Sequence, residues 1–351
     1  MVSCSSIVAV VVLALAVQWL RSHSRWEDVA VNVFAKAVSG IAATPADDTD
    51  AILAAIANMQ RLQEAFVAEA NVADVAITEF NVTVRDGASL RVRRYSPRGQ
   101  SSTGAVVYYH GGGWVLGGGR VGLIAQDEHV VGMVRHLQAD VFSVDYRCAP
   151  VHRFPVAAYD SIDAFCAIVA QAAVLGFDAG KVGVAGISAG ANLAVVTALS
   201  FDSLYAGSWQ NARLCAGVRA PHAVLSSVGV LDATFSSVSS VREHRVGALS
   251  LHFMTWFRNV YAPESRTVVD PLLSPLLADA GALKRLPRTL VVTGTHDILM
   301  DDSLRFAAAL GDKATLVALA NTPHEFQLLP FLYTQEKSRV FDAQRKLWIS
   351  L

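Results

Sequence analysis

The stretch Val182-Gly183-Val184-Ala185-Gly186-Ile187-Ser188-Ala189-Gly190-Ala191-Asn192-Leu193-Ala194 changes character in its middle. Up to Ala185 it is a short run of small and β-branched apolar residues, the pattern of a buried strand. From Ala189 to Leu199 it is rich in Ala and Leu, the pattern of a helix. Gly186-x-Ser188-x-Gly190 occupies the junction. A strand that reverses at once into a helix strains its turn residue, and side chains at 186 or 190 would crowd that turn. The hydroxyl of Ser188 then projects above a sheet end, beside a helix N-terminus that favours negative charge. Ser188 is therefore the candidate nucleophile.

Working outward, the chemistry needs three further groups. A serine hydroxyl becomes a good nucleophile only when an imidazole can take its proton, and the imidazole needs a carboxylate to fix its tautomer. On a strand–turn–helix serine these follow in the order acid, then His. Asp297 follows the strand-like Leu290–Thr293 in Gly294-Thr295-His296-Asp297, and His324 follows Thr315–Leu319 in Pro323-His324-Glu325-Phe326. Both fall beyond strand C-terminal ends, where sites of open α/β sheets assemble. Asp301 and Asp302 read instead as the acidic start of the next helix, and His222, His244, His252 and His296 as structural or surface residues. Upstream, His110-Gly111-Gly112-Gly113-Trp114 follows Ala105–Tyr109. Consecutive glycines let backbone N–H groups converge on one oxygen. Gly112 and Ala189, with Gly111 or Gly113, are the candidate oxyanion donors, and His110 reads as a residue that braces the loop.

The same alternation runs along most of the chain. Strand-like runs at Ala105–Tyr109, Val141–Asp145, Val182–Gly186, Val224–Val230, Leu290–Thr293 and Thr315–Leu319 are separated by helical segments near 121–137, 156–174, 189–200 and 302–310. A last helix follows Glu325. Buried strands alternating with helices predict an α/β fold with a mostly parallel sheet covered on both faces. Before them, Val75–Val84 and Leu90–Val92 flank the turn signal Asp86-Gly87, a hairpin. Residues 27–70 read as helical, with Ile52, Ile56, Met59, Gln63 and Phe66 at helical spacing, and 233–265 break the rhythm and are expected to cover the site. The expected organisation is a hydrophobic N-terminal segment (1–26), a helical cap (27–74) and a catalytic domain (75–351).

Composition narrows the function. The chain has 351 residues, 53% hydrophobic and 17% charged, enough apolar material for one large core. With 29 basic and 30 acidic residues the net charge is -1, which gives no basic excess for a nucleic-acid partner. Arg91, Arg93 and Arg94 read as the exposed face of a strand. The four cysteines, Cys4, Cys148, Cys166 and Cys215, lack metal-ligand spacing and read as buried or free thiols. Residues 7–20 are an apolar run, short for a membrane span, of the length of a signal-peptide core or brief anchor. Membrane association or secretory targeting is the expectation, with a helix packed on the cap in a cytoplasmic protein as the alternative. Arg21 and Arg25 favour a cytosolic catalytic domain, and the sequon Asn81-Val82-Thr83 a lumenal one.

With these motifs placed, the chain resembles the hormone-sensitive-lipase-like branch of the α/β-hydrolases, which includes bacterial esterases and arylacetamide deacetylases. The resemblance covers about residues 75 to 350. It rests on His110–Trp114, Asp145-Tyr146-Arg147-Cys148-Ala149-Pro150, His152–Pro155, Gly186–Gly190, Ser274-Pro275-Leu276, Asp297 and His324-Glu325-Phe326. It implies the α/β-hydrolase fold with an N-terminal helical cap, no metal, no cofactor, and hydrolysis of carboxylic esters with short to medium acyl chains. Three positions depart from the pattern: Ile187 stands where an acidic residue is usual, Val151 where Glu is, and Glu325 where Gly follows the histidine. None removes a triad or oxyanion group. Two rival readings share the fold: an amide or sterol-ester deacetylase, and a catalytically silent small-molecule receptor, against which the complete triad argues.

Overall fold

The computed structural model describes residues 43–64, 72–99, 101–237, 249–327 and 333–351. The apolar run 7–20, the boundary drawn at residue 26 and the first part of the cap region lie outside them. Among the described residues no helix is long and apolar enough to cross a membrane.

The strands are β1 (Val75–Thr83), β2 (Ser89–Pro97), β3 (Ala105–Tyr109), β4 (Asp140–Val144), β5 (Val182–Ile187), β6 (Ala223–Ser227), β7 (Arg288–His296) and β8 (Ala314–Pro323). They form one sheet in the order β1-β2-β4-β3-β5-β6-β7-β8. β1 and β2 make the expected hairpin, β2 runs antiparallel to β4, and every later pairing is parallel. The longer helices are α1 (Thr49–Glu64), α2 (Asp127–Leu137), α3 (Val156–Ala170), α4 (Ala189–Leu199), α5 (Leu251–Tyr261), α6 (Met300–Leu310) and α7 (Thr334–Ile349). The central strands β3, β4, β5 and β6 are buried along their whole length. Their side chains divide between two apolar clusters. Val107, Val184 and Val224 pack with the α3 and α4 side, while Val106, Ala185 and Leu225 pack with α2 and α7. A parallel sheet covered on both faces explains why these strands read as continuous apolar runs.

Some expectations needed correction. The helix expected over 121–137 is two helices, Gly119–Ile124 and α2, separated at Ala125–Gln126. β6 ends at Ser227 instead of Val230, because Val228 takes φ 45° and turns the chain out of the sheet. Arg93 is not on an exposed face. It is 3% exposed and reaches Asp127 of α2 at 3.0 Å and Glu79 of β1 at 2.6 Å, while Arg94 pairs with the buried Asp140. A basic residue on an alternating strand can face a helix when that helix opens with carboxylates, as α2 does with Asp127 and Glu128.

Two of the cysteines read as thiols are in fact joined. Cys166 of α3 forms a disulfide with Cys215, 49 residues later. Nothing in that spacing signals a pair. The fold supplies the proximity, with a Cα–Cα separation of 4.9 Å. Closing a loop of this length stabilises a native chain by roughly 2–4 kcal/mol. Cys148 remains a thiol, half-buried.

α1 is the described part of the expected cap. Asp48 accepts a hydrogen bond from the Ala51 N–H at 2.9 Å, which caps the helix start. Ile52 is fully buried, and Ile56 and Met59 pack partly against the same cluster. Trp256 of α5 donates its indole N–H to the Thr44 carbonyl, at 2.6 Å, and so ties α5 to the chain just before α1.

Candidate active site

Ser188 stands between β5 and α4 with φ 57° and ψ −119°, a conformation non-glycine residues rarely adopt. Local hydrogen bonds hold it there. Its N–H donates to the Ser227 carbonyl at 2.9 Å, and its own carbonyl accepts from Asn192 at 3.1 Å and Val230 at 3.3 Å. The strain costs on the order of 1–3 kcal/mol, so it persists only where the surroundings over-determine it. The glycines of the pentapeptide are required by close approach. A Cβ on Gly186 would lie 2.2 Å from the Gly190 carbonyl, and one on Gly190 would lie 2.0 Å from the Tyr109 oxygen.

That second contact brings the end of β3, and so the glycine loop, against the start of α4. A Cβ on Gly111 would sit 3.5 Å from the Ser188 Cβ. Gly112, at φ 115°, turns the loop, and its carbonyl accepts from the N–H groups of Val115 and Leu116. Gly113 lies under the Phe257 ring of α5, and Trp114 stacks on Tyr261 at 4.9 Å. Among the described residues no acceptor takes the N–H of Gly111, Gly112, Gly113 or Ala189. Gly111 and Ala189 thus lie beside the serine, and the N–H groups of all four candidates are available to an external oxygen.

His110 is fully buried beneath this loop. It stacks on Tyr146 at 4.1 Å, and its Nδ1 lies 2.7 Å from the Gly111 carbonyl, which makes Nδ1 the protonated nitrogen. Tyr146 in turn donates to the His110 carbonyl at 2.9 Å. Burial lowers the pKa of His110, against smaller opposing pulls from the Gly111 carbonyl and Asp145, so its ring is neutral. It braces the loop.

The other two sequence candidates meet directly. His324 begins a single 3-10 turn (His324–Gln327) after β8, and its Nδ1 lies 2.9 Å from Oδ2 of Asp297, just past β7. Oδ1 of Asp297 accepts from the Leu299 N–H at 2.9 Å, so the carboxylate is held on both sides. Asp297 is 1% exposed and His324 and Ser188 are each 8% exposed. The Nδ1 contact fixes the tautomer in which Nδ1 carries the proton and Nε2 is the basic nitrogen. The turn also reaches the serine side of the sheet, since Gln327 donates to Ser227 Oγ at 2.8 Å.

Two residues at the site escaped the sequence reading. Asn192 donates from its amide to the Val230 and Leu273 carbonyls at 2.7 and 2.8 Å, tying α4 to the loops beside the serine. An amide one turn beyond Ser188 in a helix rich in Ala, Val and Leu is the available signal. Gln327 had no such signal. Asp302, read as a first-turn acid, does lie in the first turn of α6 but is fully buried. Among the described residues no group of three or more His, Cys, Asp or Glu is arranged to hold a metal ion.

Residues 106–328 match the family described as the alpha/beta hydrolase fold. The chain is 31% identical over 256 residues to an ethyl acetate hydrolase of Pseudomonas putida, covering 71% of this chain and 75% of that one. It is 28% identical to neutral cholesterol ester hydrolase 1 of Rattus norvegicus, covering 67% and 69%. Among solved structures, a hyperthermophilic esterase from Pyrobaculum calidifontis superposes with a TM-score of 0.71 at 29% identity, over 91% of this chain and 97% of that one. The chain belongs to the α/β-hydrolase family, in its hormone-sensitive-lipase-like branch.

The Asp302 carboxyl carries a pH signature. Burial, then the negative charge of Asp232, pushes it up to about 7, against smaller pulls from Ser237 and Arg305 and with a further push from Asp301. The native state therefore holds a proton that the unfolded chain releases near 3.8. This contribution to stability is complete at acid pH and is lost as pH rises through that window towards 7. Asp302→Asn keeps a neutral side chain at every pH. It is expected to gain on the wild type between pH 5 and pH 8 by at least about 1 kcal/mol in urea unfolding. Parallel pH profiles for the two proteins would contradict this assignment.

Proposed function

We propose that this protein is a carboxylesterase-type serine hydrolase that cleaves carboxylic esters through an acyl-enzyme. The observation that carries the reading is the Asp297–His324 contact at 2.9 Å, in a site whose strained Ser188 abuts a glycine loop with available N–H groups. In the first step His324 Nε2 takes the Ser188 proton as Oγ bonds to the ester carbonyl carbon. The carbonyl oxygen becomes an oxyanion facing the N–H groups of Gly112 and Ala189, with Gly111 or Gly113. Collapse breaks the bond to the alcohol oxygen, which leaves with the proton from His324. Water then repeats the sequence: His324 removes its proton, the hydroxide oxygen attacks the acyl carbon, and Ser188 departs reprotonated. Asp297 keeps the ring oriented and stabilises its positive charge in both halves.

The substrate class follows from the surroundings and the relatives. Phe257 lies directly over Gly113, with Phe253 and Trp256 of α5 packed beside it. An aromatic wall beside the loop suits an apolar acyl or aryl group. Relatives named for ethyl acetate and for cholesterol esters bracket that class from small to large. Esters with short- to medium-chain acyl or aryl groups are the proposed substrates.

We place the catalytic domain in an oxidising compartment of the secretory pathway. The Cys166–Cys215 bond supports this, because such bonds persist there, and so does the exposed Asn81 of the sequon.

Two measurements test these readings. On p-nitrophenyl acetate and butyrate, Ser188→Ala and His324→Ala are expected to lower kcat by at least about 10³-fold. Asp297→Asn is expected to lower it to a similar extent through the wrong tautomer. Undiminished turnover in Ser188→Ala would overturn the mechanism, and an inert wild type would favour the silent-receptor reading. When the protein is recovered from its native cells under alkylating lysis, peptide mapping is expected to find Cys166 and Cys215 linked. Recovery of both as alkylated thiols removes the oxidising compartment.

A further inference from the structure

The geometry points to Gln327 as a positioning residue that holds the catalytic base in register with the nucleophile, through a hydrogen bond to Ser227. The inference rests on the hydrolase reading above, since it assigns a role relative to His324 and Ser188.

The need for such a tether comes from the topology. Asp297 and His324 both belong to the β7–β8 end of the sheet, and β8 is its outermost strand, paired with β7. The β7–β8 ladder is irregular between Gly294 and His296, immediately before both residues. A bulge of this kind re-aims the strand end and weakens the ladder as a positioning device. The Asp297–His324 contact fixes the ring within this edge pair. Ser188, however, sits at the end of β5, with β6 and β7 in between. Some link must cross to the serine side.

Gln327 supplies that link. It is 4% exposed and closes the turn that His324 opens. Residues three apart in a 3-10 turn lie on the same side of it, so the two side chains move with one piece of backbone. Its Nε2 donates to Ser227 Oγ at 2.8 Å, passing over β7 to the end of β6. Ser227 is the register partner of Ile187, and its carbonyl accepts the Ser188 N–H at 2.9 Å. One residue thus receives a bond from the base's turn and one from the nucleophile.

The residue before the nucleophile cannot make this link. Ile187 is apolar and lies in the same buried cluster as Phe326, the residue before Gln327. Packing within that cluster holds the turn down without fixing its direction, because apolar packing is non-directional. The directional part falls to the Gln327 amide. An unpaired buried amide or hydroxyl is costly, so each partner also enforces the other's position.

The test uses the full chain, with turnover expressed per site titrated by a fluorophosphonate. Gln327→Met keeps length without the amide, and Ser227→Ala removes the hydroxyl while keeping the carbonyl that holds Ser188. Each is expected to lower kcat per titrated site about tenfold with KM within about twofold, as a displaced base does. The double variant is expected to lose no more than the larger single loss, because one bond is broken in all three. A purely structural role would reduce the number of titratable sites and leave turnover per site unchanged. Unchanged turnover per site, or additive losses, would overturn the inference. If Gln327→Met does not fold, Ser227→Ala alone decides it by the same criterion. Wild type and Ser188→Ala, compared by turnover per mole of protein, separate the two claims. An inert wild type removes the hydrolase reading, whereas an active wild type beside unaffected variants removes only the role of Gln327.

Discussion

The start of α4 lies so close to the end of β3 that no side-chain atom fits between them: a Cβ at Gly190 would be 2.0 Å from the Tyr109 oxygen. This contact sets the geometry of the site. It lets α4 begin directly above the sheet, which forces Ser188 into φ 57°, and it carries the glycine loop that follows Tyr109 to the serine. The proposed nucleophile and oxyanion donors are therefore positioned by one packing event. A methyl group at position 190 would separate them.

Such an arrangement is strained, and burial holds it. Every residue of α4 is buried. Its Leu193, Val195, Val196 and Leu199 each contribute roughly 1.5–3 kcal/mol on removal from water, against a cost on the order of 1–3 kcal/mol for one strained residue. The apolar helix thus outweighs the turn it imposes. The polar groups in this region act as guides. Asn192 fixes the loops after β6, neutral His110 and Tyr146 brace the glycine loop, and Gln327 joins the base's turn to Ser227. None carries net charge, which suits the proposed mechanism, in which an oxyanion and an imidazolium form without competing ions.

The parts of this account that were legible in the sequence are those written as local patterns. The central strands are apolar on both faces and so appear as runs, and the elbow is a pentapeptide. Asp297 and His324 stand out because each directly follows a strand. What the sequence hid depends on contacts between distant segments. Cys166 and Cys215 meet only when α3 and the chain after α4 are in place. The premature end of β6 at Ser227 follows from the φ of Val228, a β-former that local propensity extends to Val230. Arg93 and Asp302 look like surface charges until the elements that bury them are docked, since burial of a charge is decided by its neighbours. Gln327 is an unremarkable residue in sequence, and its meaning lies in a strand that is 100 positions away.

The central claim is that the packed turn makes Ser188 the one activated hydroxyl of the chain. Peptide mapping by mass spectrometry after brief reaction with a fluorophosphonate tests it directly. The account predicts a single phosphonyl adduct, on Ser188, whose formation is slowed by His324→Ala. An adduct on another residue, or equal labelling rates in wild type and His324→Ala, would contradict it.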